Sequence, residues 1–251
     1  MNNDFKDHFS SNASNYSRFR PSYPAELYRY LATLTPNHDQ AWDCATGNGQ
    51  AAVQLAEHFK RVIATDASRH QIAAATKHNN IKYSVSPAEK TDIDSHSIDL
   101  VTVAQALHWF DLERFYQEVK RVLNPKGVIA VWTYNLFRIN DDVDALIDSL
   151  YHNTLEDYWP PERRLVENGY ADLPFPFNPA TPIPNFAMSA SWTLPHMQGY
   201  LRTWSAVSRY IEITAVDPVS QIATQLEQAW GDPKQERAVV WPLSMRIGFN
   251  H

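Results

Sequence analysis

Between Ala41 and Asp66 the chain reads AWDCATGNGQAAVQLAEHFKRVIATD, and this stretch constrains the fold more than any other. A short apolar run ends on Asp43 and breaks into the small-residue turn Ala45-Thr46-Gly47-Asn48-Gly49. A helical pattern follows from Gln50 to about Phe59, and a second apolar run, Val62 to Thr65, ends on Asp66. The order is strand, glycine turn, helix, strand, with a carboxylate at the tip of the second strand. A parallel β-α-β unit opens a ligand crevice at the carboxyl ends of its strands. Gly47 and Gly49 remove the Cβ atoms that would hold a ligand away from the backbone. Asp66 is placed to accept hydrogen bonds from the two hydroxyls of a ribose, so a nucleoside-containing ligand is expected.

Two cofactor classes use this geometry. Gly47-x-Gly49-x-x-Ala52 fits the G-x-G-x-x-G/A turn of dinucleotide-binding proteins, and NAD is therefore one reading. The other is S-adenosylmethionine, whose class I methyltransferases carry an acid at the end of the first strand before a G-x-G-x-G-like turn. Asp43-Cys44-Ala45-Thr46-Gly47-Asn48-Gly49 resembles that pattern, with Ala45 replacing the first glycine. Asp43 favours the second reading, because its charge repels a pyrophosphate and attracts a methionyl ammonium and sulfonium. A tight turn with no ligand is the remaining alternative.

The rest of the composition narrows the class. A net charge of −6, with no run of Lys or Arg, leaves no basic excess for nucleic-acid phosphates. Cys44 is the single cysteine, so no disulfide forms within the chain and a reducing compartment is compatible. There is no apolar run near 18 residues, and the opening MNNDFKDHFSSNAS is polar, so a soluble, cytoplasmic protein without a membrane partner is expected. The ten histidines show no metal-ligand spacing, and no metal is expected.

The strand and helix patterns repeat down the chain. Residues 1–22 lack periodicity but carry Phe5, Phe9, Tyr16 and Phe19, which suits a segment docked on the domain. Pro24 opens a helix with Leu27, Tyr30, Leu31 and Leu34 at helical spacing, and Pro36 stops it. A helix capped by Ser68 is expected over 68–77, with Ile72, Ala75 and Thr76 inward. Strands are expected over 81–85, 98–103 and 128–134, with a helix over 112–123 capped by Asp111. Near-continuous apolar strands alternating with helices predict a parallel sheet covered on both faces. After Asn135 the alternation lapses: a helix over 141–151 precedes a Pro- and aromatic-rich tract from Tyr158 to Phe186, read as an insertion. Phe186 to Leu194 resembles a strand, 197–210 and 219–230 resemble helices, and 238–249 a last strand.

In this order the motifs DCATGNGQAA, TDAS, SPAEK, SIDLVTVAQALHWFD and EVKRVLNPKGVIAVW resemble small-molecule class I methyltransferases of the methyltransferase type 11 group, closest in flavour to its trans-aconitate methyltransferase-like branch. The resemblance covers residues 16–135 well and 203–210 loosely. It implies one domain over 1–251 with a Rossmann-like, doubly wound α/β fold. Its seven-stranded sheet has an antiparallel last strand, and an insertion over 135–200 caps the substrate site. It also implies methyl transfer from S-adenosylmethionine to a small molecule, with S-adenosylhomocysteine as product.

Carried over by position, Asp43, Ala45, Gly47 and Gly49 face the methionyl part, Asp66 binds the ribose, and Ala67, Ala88 and Glu89 lie at the adenine. Pro87 stands where many relatives have an Asp. Ala104 and Gln105 line the methyl-transfer site. Ala104-Gln105-Ala106-Leu107 is not the [DN]-P-P-[FYW] of amino methyltransferases acting on nucleobases or glutamine, which disfavours a nitrogen acceptor of that type; an oxygen acceptor, carboxylate or hydroxyl, is the leading expectation. His108 either takes the proton of an acceptor hydroxyl or fixes its loop, with Trp109 beside the substrate or stapling the following helix. Arg20 either holds the cofactor carboxylate, with Tyr16 closing over the site, or anchors the N-terminal segment. Arg202 and Trp204 either meet an acidic or aromatic substrate or, for Trp204, lie in the core. An NAD-dependent oxidoreductase and a non-catalytic S-adenosylmethionine-binding protein are the competing functions. The sequence leaves the oligomeric state open.

Overall fold

The strands that the sequence predicts as buried form the middle of one sheet in the computed structural model, which describes residues 21–250. β1 (Gln40–Cys44) pairs in parallel with β2 (Arg61–Asp66) and with β4 (Ile98–Ala104). β2 pairs with β3 (Ile81–Val85), and β4 with β5 (Leu123–Tyr134), again in parallel. β8 (Arg237–Phe249) runs antiparallel to β5, from Val128 opposite Phe249 to Tyr134 opposite Leu243. The sheet order is β3-β2-β1-β4-β5-β8-β6, where β6 is the two-residue Asn178–Pro179. β7 (Ala187–Trp192) pairs with the first half of β8, making eight strands rather than the expected seven. The doubly wound α/β class and the antiparallel last strand stand as expected.

Period-two alternation sends successive side chains of each strand to opposite faces. On β5, Val128, Ala130 and Trp132 meet α1 (Ala25–Leu34) and α2 (Gln50–Ala56), while Ile129 and Val131 meet α4 (Leu112–Val122). All five residues of β1 are buried, including Asp43. α1 buries Leu27, Tyr28, Leu31 and Ala32, so Tyr28 takes the inward place expected for Tyr30. α4 is capped as predicted, the Asp111 side chain accepting from Arg114 N–H, with Lys120 and Arg121 in the last turn complementing the helix dipole.

Several boundaries differ. α3 covers only Arg69–Ala73, capped by Ser68, and buries none of its residues; Thr76 is exposed. Thr76 is drawn to the glycine turn instead, its N–H donating to Asn48 O and its carbonyl accepting from the Tyr83 hydroxyl, so its backbone groups do not continue the helix. β5 begins five residues before Val128, since Asn124-Pro125-Lys126-Gly127 lies within the strand assignment. The expected helix over 197–210 is two, α7 (Leu194–Leu201) and α8 (Ser205–Thr214); that over 219–230 is α9 (Pro218–Gln221) and α10 (Ala223–Trp230).

Between β5 and β8 the chain builds its own aromatic core. α5 (Asp141–Ser149) continues into a π-helical turn, Leu150–Thr154, and α6 (Arg163–Glu167) follows. Phe137, Trp192, Tyr200 and Trp241 meet edge to face or tilted, and Trp230 is fully buried in the same cluster. No helix of the described residues is long and apolar enough to cross a membrane. The expected docking segment, residues 1–22, falls outside the described residues except for Pro21 and Ser22.

Candidate active site

The carboxyl ends of β1, β2, β4 and β5 lie in register, Cys44 opposite both Thr65 and Val103, and Val103 opposite Val131. Three residues of the turn after β1 adopt left-handed backbone conformations: Ala45 at φ 54°, Gly47 at φ 57° and Gly49 at φ 90°. At Gly49 an added Cβ would lie 2.3 Å from the Tyr83 hydroxyl, so this glycine admits Tyr83 onto the turn. At Gly47 the Cβ position is open, with only Gln71 Oε1 at 4.0 Å. The two glycines thus do different things: Gly49 closes the turn against β3, and Gly47 leaves its outer side clear.

Asp66, at the tip of β2, reaches back to the turn. Gly47 N–H donates to its Oδ2 at 2.9 Å and Ser68 N–H to its Oδ1 at 2.8 Å. Ala67 beside it is exposed. A half-exposed carboxylate over a turn with a clear outer face fits a ribose diol, and this part of the site suits the expected cofactor.

Asp43 is placed differently from the sequence reading. Only 1% exposed, it accepts from the hydroxyls of Thr46 and Thr102. Burial pushes its pKa up to about 6 against the hydrogen bonds that oppose the rise, and nearby Asp66 adds to it. It pins the turn to β4 from beneath, at the N-terminal end of α2, and does not itself line an open face. In the second adenine-side loop Ala88 is buried, and Glu89 Oε1 accepts from Asp111 N–H at 3.0 Å, tying that loop to the start of α4.

Beyond β4, Gln105 bridges rather than lines. At φ 56° its side-chain oxygen accepts from Thr133 Oγ1 and from Tyr134 N–H at 2.9 Å, while Nε2 donates to Tyr134 O at 3.0 Å. Its polar atoms are committed to β5; Ala104 and Gln105 are both half-buried.

His108 sits in the 3₁₀ turn Leu107–Trp109, its Nδ1 2.8 Å from the Tyr170 hydroxyl. Burial, aided by the Arg163 charge, lowers its pKa to about 4, so the imidazole is neutral near pH 7. Trp109 is 36% exposed, its ring 4.7 Å from that of His108.

Two substrate-side expectations change. Arg202 Nε donates to Asp217 Oδ2 at 2.9 Å and Nη2 to Ser220, so its charge is neutralised at an exposed surface. Trp204 packs on Tyr151 and Trp159 in the aromatic cluster, the core alternative named above. Tyr16 and Arg20 lie outside the described residues.

The arginine that does approach His108 is Arg163, which sequence reasoning missed. Its Nε donates to the Tyr151 hydroxyl and its Nη2 to Asn135 Oδ1 at 2.6 Å, just past the end of β5. Its guanidinium lies 5.2 Å from the centre of the Tyr151 ring and 5.0 Å from that of Trp159. The only advance signal is the aromatic density of the tract that carries it.

A family model described as "Methyltransferase domain" matches residues 42–131. A Dictyostelium discoideum protein that bears a methyltransferase name is 38% identical over 238 residues, 92% of this chain and 90% of its own length. A Saccharomyces cerevisiae protein named as an S-adenosylmethionine-dependent methyltransferase is 31% identical over 58% of this chain and 53% of its own. Among solved structures, one from Anaeromyxobacter dehalogenans bearing the name type II methyltransferase is 44% identical, covers 93% of this chain and all of its own, and superposes with a TM-score of 0.89.

Proposed function

The chain belongs to the class I S-adenosylmethionine-dependent methyltransferases, and from that premise we propose that it methylates an oxygen, carboxylate or hydroxyl, of a small-molecule acceptor. The observation that carries the cofactor reading is Asp66, a half-exposed carboxylate at the tip of β2 held over the turn by Gly47 N–H and Ser68 N–H. In this reading Asp66 receives the ribose hydroxyls and Gly47 lets the ligand approach the backbone. Ala67 and Ala88 flank the adenine, and Glu89 contributes through Oε2, since Oε1 is engaged. Asp43 acts through its charge and by fixing the turn. When bound, S-adenosylmethionine supplies the methyl group, the acceptor oxygen forming a C–O bond as the C–S bond breaks and its electron pair stays on sulfur.

The residues after β4 and β5 orient the acceptor. Gln105 fixes the loop that carries His108, and Tyr170 fixes the imidazole. For a hydroxyl acceptor a neutral His108 takes the proton; a carboxylate brings none, and positioning then supplies most of the rate. Ala104-Gln105-Ala106-Leu107 in place of [DN]-P-P-[FYW] disfavours a nitrogen acceptor of the nucleobase or glutamine type.

The test is incubation of the protein with methyl-labelled S-adenosylmethionine and fractionated small-molecule extracts, followed by mass spectrometry. A labelled product cleaved by mild alkali is a methyl ester and supports the reading; one that resists it supports the reading only where fragmentation places the methyl on oxygen, and a methyl on nitrogen, sulfur or carbon overturns it. S-adenosylhomocysteine binding with no labelled product from any fraction would leave a non-catalytic binder instead.

A further inference from the structure

We propose that Arg163 is an anion anchor for the acceptor, and that the acceptor class is therefore a small carboxylic acid with an apolar body. This rests on the methyltransferase reading above and concerns only which acceptor the site takes.

The argument starts with how the guanidinium is held. Arg163 is half-buried, yet its hydrogen bonds go to neutral groups, the Tyr151 phenol and the Asn135 amide. The nearest acid along this network, Glu167, is one step removed: Tyr151 donates its own proton to Glu167 Oε1 at 2.6 Å. Partly desolvated charge without a direct counter-ion is costly, and an anion placed against it gains accordingly. None of the ion pairs among the described residues takes up Arg163, in contrast with Arg202, which Asp217 neutralises.

The same contacts leave the guanidinium preorganised. With Nε and one Nη2 proton engaged, Nη1 and the second Nη2 proton remain for a carboxylate, the planar match that arginine makes. Tyr151 and Trp159 hold the plane from the sides. Tyr151 itself belongs to the π-helical turn Leu150–Thr154, a type of distortion that frequently marks functional sites. Trp159, half-buried beside the guanidinium, gives an apolar wall for the acceptor's body.

Its position fits the reaction. Asn135 follows β5 directly, and the Arg163 charge acts on His108 after β4, so the anchor stands at the end of the sheet where the acceptor must lie. A carboxylate is already ionised near pH 7 and needs no base, which agrees with a histidine whose pKa of about 4 makes it a weak one. An Arg163-bound carboxylate and a deprotonating His108 answer different acceptors, and the arginine geometry favours the first.

The test uses the full chain saturated with S-adenosylhomocysteine and titrated, by tryptophan fluorescence and calorimetry, with benzoate, octanoate and succinate. Benzyl alcohol and octanol serve as neutral counterparts. Turnover is read in parallel with methyl-labelled cofactor. Acid binding by the wild type, weakened at least tenfold in Arg163→Gln and partly restored in Arg163→Lys, is expected. KM for the acids should rise more than kcat falls, with S-adenosylhomocysteine affinity within about twofold of wild type. Equal acid binding in Arg163→Gln, or no acid binding by a wild type that does bind S-adenosylhomocysteine, would overturn the anchor. A wild type that does not bind S-adenosylhomocysteine would instead remove the methyltransferase reading on which the anchor rests.

Discussion

His108 and Tyr170 meet across 62 positions of sequence, imidazole Nδ1 to phenol oxygen at 2.8 Å, joining the loop after β4 to the segment after α6. Arg246 on β8 steadies the same corner by donating to Tyr170 O at 2.8 Å. Burial raises the Tyr170 pKa well above its ordinary value, so the phenol stays protonated. One hydrogen bond thus couples the acceptor side of the site to the part of the chain that the parallel sheet does not itself specify.

Tyr170→Phe should break that coupling. The expected cost is about 1–2 kcal/mol of stability, from a buried hydrogen bond lost with its partner left in place. Turnover should fall while S-adenosylhomocysteine affinity holds, because His108 loses its orientation and the turn after β1 is untouched. Denaturant unfolding and steady-state kinetics check the two halves separately.

Asp43 and His108 should give opposing pH dependences. The Asp43 pKa is raised from 3.8 to about 6, so the folded protein holds that proton longer than the unfolded chain. Its contribution falls as pH rises through about 4 to 6, and the ionised, buried group costs on the order of 1–3 kcal/mol near pH 7. Asp43→Asn should therefore stabilise the ligand-free protein near pH 7 and lose that advantage below about pH 4. The His108 pKa is lowered from 6.5 to about 4, so the unfolded chain binds that proton first. Stability from a neutral His108 is complete above the unfolded pKa and is lost as pH falls through 6.5 to about 4. His108→Gln should flatten the acid limb of a melting-temperature profile that Asp43→Asn steepens.

The two glycines of the turn should separate stability from binding. Gly49→Ala places a Cβ against Tyr83 and in a left-handed backbone, and should cost about 2–3 kcal/mol. Gly47→Ala meets open space and should cost only about 1–2 kcal/mol of backbone strain, yet weaken cofactor binding more than tenfold. Thermal melts with and without S-adenosylhomocysteine read both; equal ligand-induced shifts in Gly47→Ala and wild type would argue against ligand approach at this turn.

How much of this was legible in the sequence follows the range of the interactions. The β1-turn-α2-β2 unit was readable because strand periodicity, small turn residues and terminal acids all lie within 26 positions. Ser68 and Asp111 were legible as caps because a cap bonds only two or three residues ahead. Asp43 was found but its setting was not, since its partner Thr102 lies 59 residues away on β4. Arg163 and Tyr170 were missed because Pro160, Pro161 and Pro174 break the tract into pieces too short to show periodicity, and Tyr151, at the end of an expected helix, because its partners Arg163 and Glu167 lie 12 and 16 residues ahead. Arg202 looked free in sequence because Asp217, fifteen residues on, turns back to it only once α8 has formed.

The most direct measurement is calorimetric titration of wild type and Asp66→Ala with S-adenosylhomocysteine and, separately, with NAD. The account predicts one site for S-adenosylhomocysteine on the wild type, affinity lowered by about 1–3 kcal/mol in Asp66→Ala through lost charge-assisted hydrogen bonds, and no heat of binding with NAD. Saturable NAD binding without S-adenosylhomocysteine binding, or unchanged S-adenosylhomocysteine affinity in Asp66→Ala, would contradict it.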